Sequence, residues 1–226
     1  MNLFPLITGL VFACLSSIPL ASAHPVIHQG GTAVSSFNTN TLREWSISHS
    51  IASRLAFGIR YFNWNHLLST HGTSTTVAIR ALRWNGENGQ ANFYLSGGAG
   101  AESSYEGANL FGWLSPEIDW ENRSILTSLK FEYFPGLFNR PRNMTRGRIG
   151  FAAYEGVTDG INAWMVVEGE YHSFDPADST LPTFHASQNI QNWLITPMLR
   201  LTYQNVLLET GVSQNGAIRM NFETHF

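Results

Sequence analysis

The last ten residues of the chain constrain its fold more than any other stretch. Over residues 217–226 apolar and polar side chains alternate up to the final residue. One face of such a strand carries Ile218, Met220, Phe222, Thr224 and Phe226, and the other carries Arg219, Asn221, Glu223 and His225. Chain ends usually fray, so an apolar-faced strand that runs to an aromatic last residue needs a partner strand. The pattern therefore predicts a terminal strand paired within a sheet.

This segment, ending in Phe226, resembles the closing strand of bacterial outer-membrane β-barrel proteins. The resemblance is to a broad class and not to a specific family. It implies a barrel whose last strand pairs with its first, in the outer membrane of a Gram-negative bacterium. It also implies two partners, the membrane lipid and the barrel-assembly machinery that reads the strand ending in Phe226. It names no substrate.

The opening residues predict an exported protein of one domain. Residues 6–20 are apolar, and Ala-Ser-Ala at 21–23 matches a small-x-small cleavage site. An apolar run of about 15 residues is too short for a transmembrane helix, which needs roughly 20. No Lys or Arg precedes Arg43, which departs from the usual signal peptide, and Cys14 offers a competing lipidation site. We predict a signal peptide over 1–23 and a barrel over 24–226.

Composition excludes several functions and favours a barrel wall. Charged residues make up 13% of the chain, about half the usual share, and the net charge is −3 without any basic block. These values argue against a nucleic-acid partner. No later apolar run is long enough for a helical span, so any membrane crossing must use strands. Cleavage after residue 23 would remove the only cysteine, and no cofactor is predicted.

Alternation predicts an all-β chain, a single antiparallel transmembrane β-barrel of about twelve strands. The predicted strands cover 27–35, 42–49, 54–64, 74–85, 90–99, 110–120, 124–134, 147–157, 161–172, 190–202, 206–214 and 217–226. Short connections near 50–53, 86–89, 121–123, 158–160 and 203–205 alternate with longer ones near 65–73, 100–109, 135–146 and 173–189. Short periplasmic turns and longer outer loops are typical of such barrels. A sandwich of short strands is the structural alternative.

Charged residues are predicted on the inner face, because a charge facing lipid at the midplane costs about 2–4 kcal/mol. The strand 42–49 sorts poorly, since Arg43 shares a face with Trp45 and Ile47. Pro116 and Pro197 fall within predicted strands and predict bulges or early strand ends. The residues predicted to line the lumen and bind a solute are Arg60, Arg80, Lys130, Glu132, Glu168, Glu170, Arg200, Arg219 and Glu223.

A polar lumen predicts passive passage of a small solute in the manner of a porin, and the mixed charges predict no strong ion selectivity. The alternative use of the same residues is a network of ion pairs that fills a narrow interior. Twelve strands lie between the filled eight-stranded barrels and the open channels of sixteen to eighteen, so strand number leaves both open. A non-conducting structural or surface-binding barrel is therefore a further hypothesis.

A second class of function is a hydrolase acting on lipid or peptide at the outer rim. His172 and Ser173 lie at a predicted strand end, but adjacent residues of a strand point to opposite faces. Asp175, Asp178 and His185 in the following loop are equally weak candidates. His24 and His28 would form only a loose metal site. We predict no catalytic residue and no metal site.

Overall fold

The computed structural model describes residues 25–39, 42–64, 70–104, 107–135, 142–153, 160–173 and 193–226. Their strands are β1 Thr32–Asn38, β2 Leu42–Ala52, β3 Leu55–Trp64, β4 Thr70–Gly86, β5 Gly89–Ser104, β6 Gly107–Glu121, β7 Ile125–Phe134, β8 Arg142–Ala152, β9 Asn162–His172, β10 Trp193–Tyr203, β11 Val206–Val212 and β12 Ile218–His225. Each pairs antiparallel with its neighbours in sequence, and β1 pairs with β12. The result is a closed barrel, as the alternation predicts. None of the described residues form a helix long and apolar enough to cross a membrane.

Closure involves the last residue of the chain. β1 and β12 pair in register from Ala33 opposite His225 to Asn38 opposite Met220. The backbone of Phe226 then exchanges two hydrogen bonds with Thr32, with N–H to oxygen distances of 2.8 and 2.9 Å. Closing a sheet removes its unpaired edges. The sandwich alternative is therefore wrong, and the prediction of a closed antiparallel barrel is confirmed.

The two ends of the barrel differ in the connections that they carry. One end, the loop end, holds the connections 39–41, 65–69, 105–106, 135–141, 173–192 and 213–217. The other, the turn end, holds 53–54, 87–88, 122–124, 153–161 and 204–205, together with the closing contact of Phe226. Most of the longer connections lie at the loop end, as predicted. Two predictions are wrong: the connection at 100–109 shrinks to 105–106, and that at 158–160 grows to 153–161.

The strand bounds differ from prediction where pairing outweighs local pattern. β5 and β6 pair from Gln90 opposite Glu121 out to Ser104 opposite Gly107, so they consume the predicted loop. β8 lies five residues earlier than predicted, because its register places Arg146 opposite Glu170 and Arg148 opposite Glu168. Each opposite-charge pair across two strands favours that alignment.

The prolines lie inside continuous strands, but pairing is lost on one side of each. Pro197 pairs with Val167 on β9, whereas pairing with β11 begins only at Met198. Pro116 pairs with Leu95 on β5, whereas the ladder with β7 skips Ser115 and Pro116 without a change of register. The register shifts lie elsewhere, between Ser50 and Ala52 and between Arg80 and Leu82.

Side chains sort by face along the strands, with Arg43 on β2 as the one Lys, Arg, Asp or Glu of the described strands that faces outward. The outward face presents large apolar residues, such as Ile59 with 63% and Met165 with 70% of its surface exposed. The inward face holds buried charges, such as Arg60 on β3 and Glu168 on β9. This is the reverse of a soluble domain, in which charges are almost never fully buried unless paired. The wall is therefore built to meet an apolar solvent outside and to pair charges inside.

Candidate functional site

Seven charged side chains on β8 to β12 form one connected group inside the barrel, here called the charged network. Its members are Arg146, Arg148, Glu168, Glu170, Arg200, Glu209 and Arg219. They meet because residues two apart on a strand share a face. Arg146 and Arg148 therefore point inward together, opposite Glu170 and Glu168 on β9.

Contacts in the charged network are short. Arg148 Nε lies 2.5 Å from Glu168 Oε2, and Arg146 Nε lies 3.2 Å from Glu170 Oε2. Arg219 contacts both glutamates, at 3.2 Å from Glu170 Oε2 and through Nη1 to Glu168 Oε1. Each glutamate thus contacts at least two arginines, which compensates the cost of removing its charge from water.

Glu209 on β11 is the second centre of the charged network. Its Oε1 accepts from Arg200 Nε at 2.7 Å and from Arg148 Nη1 at 3.3 Å, and its Oε2 accepts from Asn221 Nδ2 at 2.8 Å. Since β8 and β11 are not neighbours in the wall, the contact from Arg148 spans part of the lumen.

The ring of Phe37 on β1 receives two of these arginines. The guanidinium carbons of Arg146 and Arg219 lie 3.8 and 4.4 Å from its centroid. A guanidinium over an aromatic face is attracted by the ring quadrupole. Because Arg146 belongs to β8, this contact also reaches across the interior.

Arg60 on β3 makes a separate tie across the lumen. Its Nη1 lies 3.1 Å from Glu132 Oε1 on β7, and its Nη2 lies 2.6 Å from Glu44 Oε2 on the neighbouring β2. Lys130 Nζ also approaches Glu132, at 3.3 Å. β3 and β7 are not adjacent, so this ion pair joins two separate parts of the wall.

An apolar group lies inside the same barrel, on β2, β3, β6 and β7, and is here called the apolar cluster. It consists of Leu42, Phe62, Phe111, Trp113 and Phe134, all buried. The rings of Phe62 and Phe111 meet edge to face with centroids 5.4 Å apart. Arg60 borders this cluster, because its guanidinium lies 5.1 Å from the ring centroid of Trp113. Interior residues of this kind fill space and exclude water.

Residues 25–31 fold into the turn end of the barrel, although the sequence predicts part of a strand there. Val26 is 1% exposed and packs with Ala56, Ala78 and Tyr94. Ser50 fixes the segment, because its Oγ accepts from Ile27 N–H at 3.1 Å and its carbonyl accepts from Gly30 N–H at 2.7 Å. β1 therefore begins at residue 32 and not at 27.

A polar cavity of about 190 Å³ lies in the lumen between these groups. Its lining includes Lys130, Arg146, Arg148, Glu117, Glu209 and Glu223, with serines from β1, β2 and β7. Asn221 also lines it, and the side-chain oxygen of Asn221 is buried without a hydrogen-bond partner among the described residues. Buried polar atoms of this kind are ordinarily satisfied by water.

Most of the residues predicted to line the lumen lie in these groups. Arg60, Glu132, Glu168, Glu170, Arg200 and Arg219 are buried inside the barrel, whereas Lys130 and Glu223 line the cavity. Arg80 is half-buried at the turn end, where its Nη2 donates to the Ser53 carbonyl at 2.5 Å. That any of them binds a solute stays a prediction.

Sequence reasoning missed Arg146, Glu44 and Phe37. The alternation pattern places the first in a loop, the second in a poorly sorted strand and the third beyond the end of the first predicted strand. The spacing of Arg146 and Arg148 against Glu168 and Glu170 was the one available signal.

The hydrolase candidates are not brought together among the described residues. His172 is buried inside the barrel with Nε2 2.5 Å from Glu170 Oε1. Ser173 Oγ instead accepts the backbone N–H of Asn143 at 2.9 Å. Asp175, Asp178, His185 and His24 lie outside the described residues, as does the predicted signal peptide. Within the described part of the chain, no group of three His, Cys, Asp or Glu residues is placed to hold a metal ion.

Comparison with known proteins finds few similarities. No protein-family model and no curated protein matches the chain. One similar solved structure is a "KdgM porin", with 14% identity, a TM-score of 0.46, and coverage of 87% of this chain and 98% of that one. Another is a "KdgM porin in complex with disordered oligogalacturonate", with 15% identity, a TM-score of 0.47 and the same coverage. Independently of them, a closed twelve-strand wall that is apolar outside and charged inside is the architecture of the broad class of outer-membrane β-barrel proteins.

Proposed function

We propose that this protein is an outer-membrane channel that passes small polar solutes through a narrow, charge-lined lumen. The observation that carries the proposal is the polar cavity between the charged network and β2, β6 and β7. Its volume of about 190 Å³ is large enough for several water molecules. A wet site in mid-barrel is the starting point that passage of a polar solute requires.

The outward face supports the location. Large apolar side chains are exposed on it along β2 to β12, and charged residues on the described strands turn inward with one exception, Arg43. In water such a surface would drive association, whereas in a bilayer it contacts acyl chains. A bilayer partner is therefore part of the proposal, together with assembly through the strand that ends in Phe226.

Arg60 forms the proposed constriction. It ties β3 to Glu132 on β7 and is 4% exposed, so it occupies lumen that a solute would have to cross. An arginine has several rotatable bonds and would move aside at lower cost than the backbone. The solute is accordingly small, and the paired charges on the path favour neither sign strongly.

A second candidate is a barrel that does not conduct. Two observations favour it: the apolar cluster fills the interior near the loop end of β2, β3, β6 and β7, and residues 25–31 occupy the turn end. In this candidate the charged network stabilises the wall and the cavity holds only trapped water. The hydrolase is not proposed, because no described contact joins His172 to Ser173.

Single-channel recording on refolded residues 24–226 in a planar bilayer separates the two candidates. Heat-dependent gel mobility first establishes that the barrel is folded. We expect discrete current steps that grow in Arg60→Ala, because the substitution removes the side chain that crosses the lumen. Arg123→Ala, in the turn 122–124, is the matched control and should leave the step size unchanged. Folded wild-type and Arg60→Ala barrels that both remain silent would overturn the channel proposal.

A further inference from the structure

Arg43 breaks the rule that the wall otherwise follows. Along the described strands it is the one Lys, Arg, Asp or Glu on the outward face, because its neighbour Glu44 points inward to Arg60. Its side chain is exposed, and it shares the outward face of β2 with Trp45 and Ile47, which are 53% and 57% exposed. A single cation on an otherwise apolar face is stabilised when an anion contacts it.

The position of Arg43 is at the level expected for lipid headgroups. It is the second residue of β2 and follows the connection 39–41 at the loop end. Trp45, two residues further along β2, and Tyr61, which is paired with Trp45 on β3, are exposed aromatic residues of the kind that mark the edge of the apolar band. There an arginine costs far less than it would at the bilayer midplane.

The residues that pairing places beside Arg43 on the adjacent strands are polar, and together with Arg43 they form one row across the wall. Pairing places Asn38 and Asn63 on either side of it, and His71 next beyond Asn63. With strands spaced about 4.8 Å apart, Arg43 and His71 are about 10 Å apart along the wall. No acidic residue occurs in this row, and no hydrogen bond or ion pair joins the Arg43 guanidinium to another described residue. The row therefore presents a cation with polar flanks and no internal counterion.

We propose that Arg43, flanked by Asn63 and His71, binds the phosphate group of a membrane-lipid headgroup at the loop end. The guanidinium fork matches a phosphate with two parallel N–H donors. The surrounding leaflet would present that phosphate beside the wall, and the partly apolar setting strengthens the pairing. The inference rests on the proposed membrane location but not on conduction.

The test uses refolded residues 24–226 in detergent micelles with diphosphoryl lipid A, read by native mass spectrometry. We expect wild type to retain the lipid and Arg43→Gln to retain it about fivefold less. Arg123→Gln, at the turn end, should match wild type. Lipid A stripped of its phosphates should bind wild type no better than it binds Arg43→Gln. Millimolar inorganic phosphate should not displace the intact lipid.

Three results would overturn the inference. These are equal retention by wild type and Arg43→Gln, equal retention of the dephosphorylated lipid, or displacement by inorganic phosphate, which would make this a site for the free anion. Heat-dependent gel mobility establishes that both variants are folded. Single-channel recording on the same samples keeps the two proposals apart, because a silent barrel that still loses lipid with Arg43→Gln contradicts the channel alone.

Discussion

The charged network on β8–β12 and the apolar cluster on β2, β3, β6 and β7 occupy the same interior in opposite ways. In the first, neighbouring strands place opposite charges directly across from each other, as with Arg200 and Glu209. In the second, rings from strands that are not adjacent, such as Phe62 and Phe111, pack across the lumen. The polar cavity lies between the two, with Arg146, Arg148 and Glu209 on the side of the charged network and residues of β2, β6 and β7 such as Glu44 and Lys130 on the other.

Alternation decides which residues face inward, but not what they do there. A buried ion pair is destroyed when one partner is removed, since the other charge remains in a low dielectric. A buried ring loses contact area and leaves a cavity. The two parts of the interior should therefore respond differently to truncation, and Arg60, which pairs with Glu132 and borders the apolar cluster, should sense the second part.

The largest effect is expected from Glu168→Ala in the charged network. Glu168 is fully buried and contacts Arg146, Arg148 and Arg219, so its removal leaves several cations without an anion. The free energy of unfolding should fall by about 3–5 kcal/mol, measured by urea titration of the barrel refolded into lipid vesicles. Glu87→Ala, in an exposed turn, is the control and should change stability by less than about 0.5 kcal/mol. Equal small effects would show that the network does not stabilise the wall.

Leu42→Ala should produce a somewhat smaller loss in the apolar cluster. Leu42 is 1% exposed and packs inside the barrel, so truncation costs transfer energy plus a cavity, about 3 kcal/mol in total. Ile47→Ala on the outward face of the same strand is the matched control, because lipid can fill the space left there. If the Leu42→Ala barrel were as stable as the Ile47→Ala barrel, the apolar cluster would not stabilise the barrel as a packed interior does.

The contact between Arg60 and the apolar cluster can be measured with a double-mutant cycle. The guanidinium of Arg60 lies 5.1 Å from the Trp113 ring, a distance at which a desolvated cation–π contact contributes about 1–2 kcal/mol. The cycle Arg60→Met with Trp113→Leu should return a coupling energy of that size. A control cycle that uses Trp45→Leu, on the outward face, as its second substitution should give a coupling energy of about zero. Equal coupling energies in the two cycles would show that Arg60 does not interact with the apolar cluster.

The smallest effect is expected at the turn end, where neither the charged network nor the apolar cluster lies. Ser50→Ala removes the hydroxyl that accepts from Ile27 N–H. A single hydrogen bond contributes about 1 kcal/mol, so amide exchange over residues 25–31 should quicken about fivefold while the rest of the barrel is unchanged. Ser48→Ala, which lines the cavity on the same strand, is the control. Identical amide exchange in both variants would show that the Ser50 hydroxyl does not hold residues 25–31 in place.

The sequence predicted what depends on period-two alternation. Twelve strands and the inward direction of residues such as Glu170 follow from alternation, and barrel closure follows from the resemblance of the last strand to those of outer-membrane barrels. The placement of β8 did not, because it depends on pairing with charges twenty residues away, beyond any local window. Burial of residues 25–31 was equally unpredictable, since Val26 is held by side chains of β3, β4 and β5. The pairing of charges across the lumen requires knowing which strands face each other.

Cysteine accessibility shows whether the charge-lined cavity belongs to a water-filled path. Residues 24–226 contain no cysteine, so single substitutions report without background. Ser128→Cys lines the cavity, whereas its neighbour Thr127→Cys faces outward. We expect a charged, membrane-impermeant thiol reagent to modify Ser128→Cys and reduce its single-channel current, and to leave Thr127→Cys untouched. An unreactive Ser128→Cys in a folded barrel would contradict a water-filled path and leave a sealed interior.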